Sequence, residues 1–93
     1  MTIYEVLLSR TALGQLRALD EDSRRRVRDS LLLLAAEPRR RHAGTDVRRL
    51  RGSGHPPLYR LRVGSFRLVY AIVEQQIRVT TIRRRDKAYD FLE

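Results

Sequence analysis

Arginines alternate with apolar residues on both sides of a short turn in the second half of the chain. Residues 58–70 are predicted to form a β-hairpin with a two-residue turn at Gly64-Ser65. A turn of this length fixes the pairing and places Arg62 opposite Arg67, because successive side chains of a strand point to opposite faces. One face of this hairpin is therefore apolar and the other basic.

The basic face carries Arg60, Arg62 and Arg67. Two arginines directly opposite each other across a strand pair repel, at a cost of up to about 1 kcal/mol. A sequence that keeps all three together is expected to offer them to a polyanion, with phosphate as the expected group. An ordinary solvated sheet face is the alternative interpretation of the same residues.

The charge of the chain is concentrated in its second part. The 93 residues carry a formal net charge of +9 and are expected to form a single domain, residues 1–93. Residues 1–38 hold six arginines and six acidic residues, whereas residues 39–93 hold fourteen basic and five acidic residues. This distribution predicts a localised basic surface that attracts nucleic acid.

Several kinds of site are excluded or disfavoured by residue content. The chain has no cysteine, which excludes disulfides, thiolate chemistry and cysteine zinc sites. His42 and His55 are too isolated for a metal site, so no metal and no cofactor is predicted. The longest apolar run, Leu31–Ala36, is too short for a membrane span, and we expect a soluble cytoplasmic protein without a membrane partner.

The first half of the chain has the pattern of one strand and two helices. Residues 3–8 alternate as a strand, and Ser9 or Thr11 can cap a helix that runs to about Leu19. A second helix is predicted to start at the acidic residues 20–22 and to end before Pro38. Its apolar stripe consists of Val27, Leu31 and Leu34.

The second half has the pattern of strands. A short strand at residues 47–50 is expected only as a candidate and is not counted in the order below. The hairpin follows, and then a strand over about 76–83. Regular alternation places Ile77, Val79 and Thr81 on the apolar face, and Arg78 and Thr80 on the basic face. The predicted fold is α+β: a two-helix hairpin on one face of a small, mainly antiparallel sheet, in the order β-α-α-β-β-β.

Nearly the whole chain resembles the RelE/ParE toxin superfamily, and its RelE-like branch in particular. The resemblance rests on Val-Arg-Arg-Leu-Arg-Gly at 47–52, on the hairpin at 59–70, and on Arg-Arg-Arg-Asp-Lys-Ala-Tyr at 83–89. It implies the RelE-like fold. It also implies a toxin that cleaves messenger RNA in the ribosome without a metal ion and is neutralised by an antitoxin.

The resemblance also implies roles for individual residues. Catalytic roles fall to Arg62, Arg67, Arg85 and Tyr89, with Arg67 stabilising charge at the scissile phosphate and Tyr89 in acid/base catalysis and base stacking. The phosphate-binding residues are expected to be Arg60, Arg62, Arg78, Arg83 and Lys87. Arg83 competes with Arg85 for the role of the C-terminal site arginine.

The proton transfers of such a reaction need groups other than arginine, whose pKa lies above about 12. Tyr89 and Lys87 are the candidates near the basic cluster. Tyr89 could instead pack a C-terminal tail together with Phe91 and Leu92.

The expected function is therefore that of a type II toxin, a ribosome-dependent endoribonuclease. The alternatives are a ParE-like toxin that poisons DNA gyrase and a non-catalytic RNA-binding member of the fold. The expected partners are the ribosome, messenger RNA and an acidic antitoxin, with the toxin monomeric or in a heteromeric complex with that antitoxin.

Overall fold

Two helices and one five-stranded sheet make up the described part of the molecule. The structure is a computed structural model and describes residues 3–36, 46–50, 54 and 56–84. In chain order the elements are β1 (Glu5–Leu8), α1 (Arg10–Arg17), α2 (Glu21–Ala36), β2 (Asp46–Arg49), β3 (Leu58–Val63), β4 (Phe66–Val73) and β5 (Gln76–Arg84). The short strand expected at residues 47–50 is a member of the sheet, so the order is β-α-α-β-β-β-β.

The sheet has the strand order β1-β5-β4-β3-β2. β1 runs parallel to β5, and every other neighbouring pair is antiparallel. Both helices pack on the same face of the sheet, through Ala12 of α1 and Val27, Leu31 and Leu34 of α2. The predicted α+β architecture is confirmed. Within the described ranges, neither helix is long and apolar enough to cross a membrane.

The β3–β4 hairpin has the register that the two-residue turn predicts. Val63 lies opposite Phe66, and Arg62 opposite Arg67. Gly64 opens the turn with a φ of 55°, a backbone conformation that a residue without a Cβ adopts at little cost. Glycine at this position therefore supports the pairing that sends the arginines to one face and the apolar residues to the other.

The apolar face of the sheet and the helices enclose the core. The side chain of Tyr70 is fully buried and stacks on Tyr59, with ring centroids 5.5 Å apart. Tyr70 belongs to the core, and the partly buried Tyr59 packs against it. The other sheet residues of the core are Leu61, Val63, Phe66, Leu68, Ile72, Ile77, Val79 and Ile82.

Side-chain caps define the beginnings of both helices. Ser9 caps α1 by accepting a hydrogen bond from the Ala12 backbone N–H at 3.0 Å, whereas Thr11 lies inside the helix. Asp20 precedes α2, and its carboxylate accepts a hydrogen bond from the Ser23 N–H at 3.1 Å. Hydrogen bonding from the Ser23 side chain, and then from this backbone N–H, holds the pKa of Asp20 below its ordinary value.

β5 contains an irregularity that alternation alone did not predict. Val69 pairs with Thr81 while the next residue, Tyr70, pairs with Val79, so Thr80 is an extra residue on β5. The expectation that Thr81 lies on the apolar face is therefore wrong, because the bulge reverses the alternation after Val79. Ile82 enters the core instead, with 3% of its surface exposed.

Three hydrogen bonds hold this bulge. The Ser9 hydroxyl donates to the Thr80 carbonyl at 2.9 Å, and the Thr80 hydroxyl donates to the Val69 carbonyl at 3.1 Å. The Ile82 N–H donates to the Gln15 side-chain oxygen at 2.6 Å. Residues from the β1–α1 junction and from α1 thus fix the point at which β5 changes face.

Replacement of Gln15 tests this support. Gln15→Met keeps the length of the side chain but leaves the partly buried Ile82 N–H without this acceptor, so we expect the free energy of unfolding to fall by about 1–2 kcal/mol. Gln15→Glu retains an acceptor oxygen and serves as the control. Urea denaturation of the three proteins measures the effect, and a Met variant as stable as wild type would show that the bond does not support the bulge.

Candidate nucleic-acid interface

Three arginines form a row across three adjacent strands. Arg62 of β3 lies opposite Arg67 of β4, and Arg67 lies opposite Arg83 of β5. All three are on the sheet face opposite the helices, which we call the basic face. Since neighbouring strands are about 4.8 Å apart, the row spans about 10 Å.

Two more arginines form a second row on the basic face. Arg48 of β2 lies opposite Arg60 of β3, and Arg60 is two residues from Arg62 along β3, so both rows share this face. The residue of β2 that lies opposite Arg62 is Asp46. Arg48, Arg60, Arg62, Arg67 and Arg83 are called the arginine cluster below. The cluster draws on four strands that are consecutive in the sheet, so its geometry depends on the sheet as a whole.

Exposure within the arginine cluster is graded. Arg60 is 3% exposed, Arg62 and Arg67 are half-buried, and Arg48 and Arg83 are exposed. Guanidinium nitrogens of the three inner residues, Arg60 Nη1, Arg62 Nε and Arg67 Nε, are fully shielded from solvent. Arginine keeps its charge when it is buried, and a charge acts more strongly where the local dielectric is low. The nearly buried Arg60 can therefore contribute to the positive potential of this face, whereas the half-buried and exposed arginines still present donors at the surface.

Arg78 lies on the basic face but outside the arginine cluster. Arg78 precedes Arg83 by five positions on β5, which corresponds to roughly 16 Å along an extended strand. Its Nη2 and Nε donate to the Gln76 side-chain oxygen at 2.8 and 3.1 Å, and the Gln76 amide donates to Glu5 at 3.1 Å. The structure thus links Arg78 to the β1 edge and does not bring it together with Arg62, Arg67 and Arg83.

The remaining predicted site residues lie outside the described part of the chain. Arg85, Lys87 and Tyr89 follow the end of β5, and their predicted roles stay predictions. His42 and His55 are outside it as well. Among the residues that the structure describes, no group of three or more His, Asp or Glu side chains could hold a metal ion.

Arg48 is a member of the cluster that the sequence analysis did not assign to the site. Val47 packs against the core, so alternation along β2 sends Arg48 to the basic face. The signal is present in the sequence: once Val47 is assigned to the apolar face, its neighbour must lie on the other. Four residues are, however, a short stretch on which to recognise a strand.

The arrangement suits the binding and stabilisation of phosphate. Guanidinium groups present planar, paired donors that match phosphate oxygens. Several of them on one surface can neutralise neighbouring phosphates of a nucleic-acid backbone or the extra charge of a phosphorane.

Comparison with known families places the chain among toxins. The model of the family described as ParE toxin of type II toxin-antitoxin system, parDE, matches residues 6–89. None of the curated proteins matches the sequence significantly.

Similar solved structures are RelE-type toxins. The archaeal RelE of the RelE–RelB complex from Pyrococcus horikoshii OT3 is 29% identical, with a TM-score of 0.79 over 94% of this chain and 99% of that chain. A double mutant of E. coli toxin RelE in the free state is 23% identical, with a TM-score of 0.73 over 99% and 94%. The YoeB dimer from Staphylococcus aureus is 15% identical, with a TM-score of 0.70 over 88% and 97%. The latter two similarities concern the fold alone.

Removing the centre of the arginine cluster tests its role. We expect Arg62→Ala with Arg67→Ala to weaken binding of single-stranded RNA and to reduce the slope of log affinity against log salt by about 1.4, or about 0.7 for each lost phosphate contact. Stability should stay within about 1 kcal/mol of wild type, since loss of side-chain packing is offset by relief of like-charge repulsion.

The matched control is Arg10→Ala with Arg28→Ala, which removes two exposed arginines of the helices that lie outside the cluster. Fluorescence anisotropy over a salt series and thermal melts compare the proteins. Equal salt slopes for the two double mutants would contradict a specific role of the cluster.

Proposed function

Because this chain belongs to the ParE toxin family of type II toxin–antitoxin systems and has the fold of RelE toxins, we propose that it is a toxin that cleaves messenger RNA on the ribosome. The observation that carries the proposal is the row formed by Arg62, Arg67 and Arg83 across three strands. Such a row fits a nucleic-acid backbone and gives the fold a place at which charge on a reacting phosphate can be stabilised.

The reaction proposed is attack by an RNA 2′-oxygen on the adjacent phosphorus. The new 2′-O–P bond forms as the P–O5′ bond breaks, which leaves a cyclic phosphate on one fragment and a 5′-hydroxyl on the other. Negative charge increases on the non-bridging oxygens of the crowded intermediate. Arg62 and Arg67 are assigned to bind these oxygens, and the shielded Arg60 adds positive potential beneath them.

Two protons must also move. A base takes the proton of the attacking 2′-hydroxyl, and an acid delivers one to the departing 5′-oxygen. Arginines do not perform these steps readily, because their pKa lies above about 12. We assign them to Tyr89, with Lys87 as the second candidate. A tyrosine with an ordinary pKa near 10 needs nearby cations to act as a base at neutral pH.

The proposed site stabilises negative charge well but has only weak general acid and base groups. Such a site suits a substrate that is already aligned for reaction by a larger assembly. Aligning the 2′-oxygen, the phosphorus and the leaving oxygen can supply several kcal/mol of the barrier reduction, up to about 7–11 for well-oriented reactants. In the proposal the ribosome provides this alignment, and the toxin provides the arginine cluster and the proton-transfer groups.

An antitoxin is the proposed protein partner. RelE proteins of similar fold were solved in complex with RelB, from Pyrococcus horikoshii and from E. coli. The net charge of +9 and the clustered arginines favour an acidic partner segment, whose association would be accelerated by electrostatic attraction.

Poisoning of DNA gyrase is the second candidate function. It is favoured by one observation, the match of a ParE family model to residues 6–89. The arginine cluster fits DNA phosphates as well as RNA phosphates, so charge alone does not separate the two targets. The RelE-like tail sequence, with Tyr89 following the arginines of β5, favours RNA cleavage.

Parallel assays with one preparation separate these functions. We expect the protein to cut messenger RNA in programmed ribosomes, to leave gyrase supercoiling unchanged, and to lose at least 100-fold in cleavage rate when Arg62 and Arg67 are both replaced by alanine, since each charge contact to the phosphorane is worth about 2 kcal/mol or more. The Arg10→Ala/Arg28→Ala protein should cleave normally. Inhibition of supercoiling without cleavage would favour the gyrase function, and RNA binding without either activity would favour a non-catalytic role.

Replacement of Tyr89 tests the assignment of proton transfer. We expect Tyr89→Phe to slow cleavage by about 10²–10⁴-fold, the usual contribution of a general acid or base, with little change in ribosome affinity because the aromatic ring remains. Single-turnover cleavage and ribosome co-sedimentation provide the two measurements. Unchanged cleavage by the Phe variant would remove the hydroxyl from the reaction and leave Tyr89 with stacking or packing alone.

A further inference from the structure

Two arginines outside the arginine cluster lie at the hairpin end of the sheet, on the helix side. Arg84 is the last residue of β5 and lies opposite Phe66, next to the β3–β4 turn. Its guanidinium carbon is 5.7 Å from the centre of the Phe66 ring. Arg26 of α2 reaches the same end of the sheet, because its side chain lies beside Gly64. The Arg26 Nη1 is 3.5 Å from the position that a Cβ on Gly64 would occupy. We call Arg26 and Arg84 the helix-side pair.

The helix-side pair and the arginine cluster lie on opposite faces of the sheet, near the same end of the β3–β4 hairpin. Arg83 and Arg84 are consecutive residues of β5, so their side chains leave the strand on opposite faces. The cross-strand row that contains Arg84 comes directly after the row of Arg62, Arg67 and Arg83 along the strands. The turn Gly64-Ser65 follows the row of Arg84 and closes this end of the hairpin. Gly64 and Ser65 are exposed and small, so a chain can pass over this turn from one face to the other.

We propose that the helix-side pair binds the RNA backbone where it continues beyond the arginine cluster, around the β3–β4 turn. This inference rests on the proposed function, because it extends the same RNA track. The bound groups are phosphates that flank the scissile one. The pair therefore contributes to affinity and positioning and does not contact the reacting atoms.

The surroundings of the pair favour a phosphate backbone over a protein segment. Arg26 and Arg84 are both exposed, whereas Phe66 beneath Arg84 is only 7% exposed and offers little apolar surface. A docking protein segment needs apolar anchors, and the exposed leucines of α2, Leu32 and Leu33, are more than a turn beyond Arg26. Phosphates need only cations and donors.

The guanidinium of Arg84 is also held in place before any ligand binds. Contact with the Phe66 ring restricts its rotamers, which lowers the entropy lost when a phosphate is bound. Asp20 is near enough for Arg84 to help lower its pKa, but the carboxylate caps α2 through the Ser23 N–H. The acid is thus engaged with the helix, and the pair keeps a net positive charge.

The experiment compares RNAs of two lengths with a matched pair of double mutants. The test variant is Arg26→Gln with Arg84→Gln, and the control is Arg10→Gln with Arg28→Gln. Each removes two exposed arginines, and the two of the control lie on α1 and α2, outside the arginine cluster and the helix-side pair. Affinities for a tetranucleotide and for a 16-nucleotide RNA without secondary structure are measured over a salt series by anisotropy or competition.

We expect the test variant to bind the tetranucleotide as the control does, because the arginine cluster is intact. For the 16-nucleotide RNA its slope of log affinity against log salt should be less steep than that of the control by about 1.4, which corresponds to two lost phosphate contacts at about 0.7 each. Equal slopes for the two variants with the long RNA would overturn the inference. So would a loss that is the same for both RNA lengths.

Failure of the proposed function would look different. In that case the wild-type protein would not cut messenger RNA in programmed ribosomes, whatever the helix-side pair contributes to RNA binding. Substitution by glutamine keeps much of the side-chain length, and thermal melts of both double mutants confirm that the compared proteins are folded.

Discussion

The bulge at Thr80 is the constraint on which the site depends. Without the extra residue, β5 would continue its alternation from Val79, and Arg83 would point into the core in place of Ile82. Burying a charged guanidinium there would be prohibitive without a partner. The hydrogen bonds of Ser9, Gln15 and Thr80 therefore do more than stabilise a strand, since they decide that β5 adds an arginine to the basic face.

How far the sequence predicts the fold differs between the two halves of the sheet. The β3–β4 register follows from two local signals that agree, a glycine at the first position of a two-residue turn and strict alternation on both sides. The bulge has no comparable local signal, because the residues that hold it, Ser9 and Gln15, are more than sixty positions away. Regular alternation consequently gave the wrong face for Thr81, and the contribution of Arg83 to the row became visible only with the structure.

The site is likewise only partly predictable. Arg62 and Arg67 follow from the hairpin register, but the near-complete burial of Arg60 depends on the whole fold and could not be read from alternation. That burial has a cost in solvation, and like charges on neighbouring strands add repulsion. A fold tolerates these terms where a strong and rigid positive potential is useful, as it is beside a phosphate that gains negative charge. Arg78 lies on the same face outside the cluster, where it bonds to Gln76.

In the proposed reaction, charge stabilisation and proton transfer are assigned to different parts of this chain, and β5 connects them. The sheet provides the arginines, whereas Tyr89 follows the last residue of β5, Arg84, by five positions. Five residues span at most about 17 Å. The position of the last residue of β5 therefore sets an upper limit on the distance between Tyr89 and the arginine cluster. The bulge at Thr80 sets the register of that final stretch. It therefore determines both the face on which Arg83 lies and the residue from which the chain continues toward Tyr89. In the proposed cleavage reaction, charge stabilisation and proton transfer would then both depend on the same irregularity in one strand.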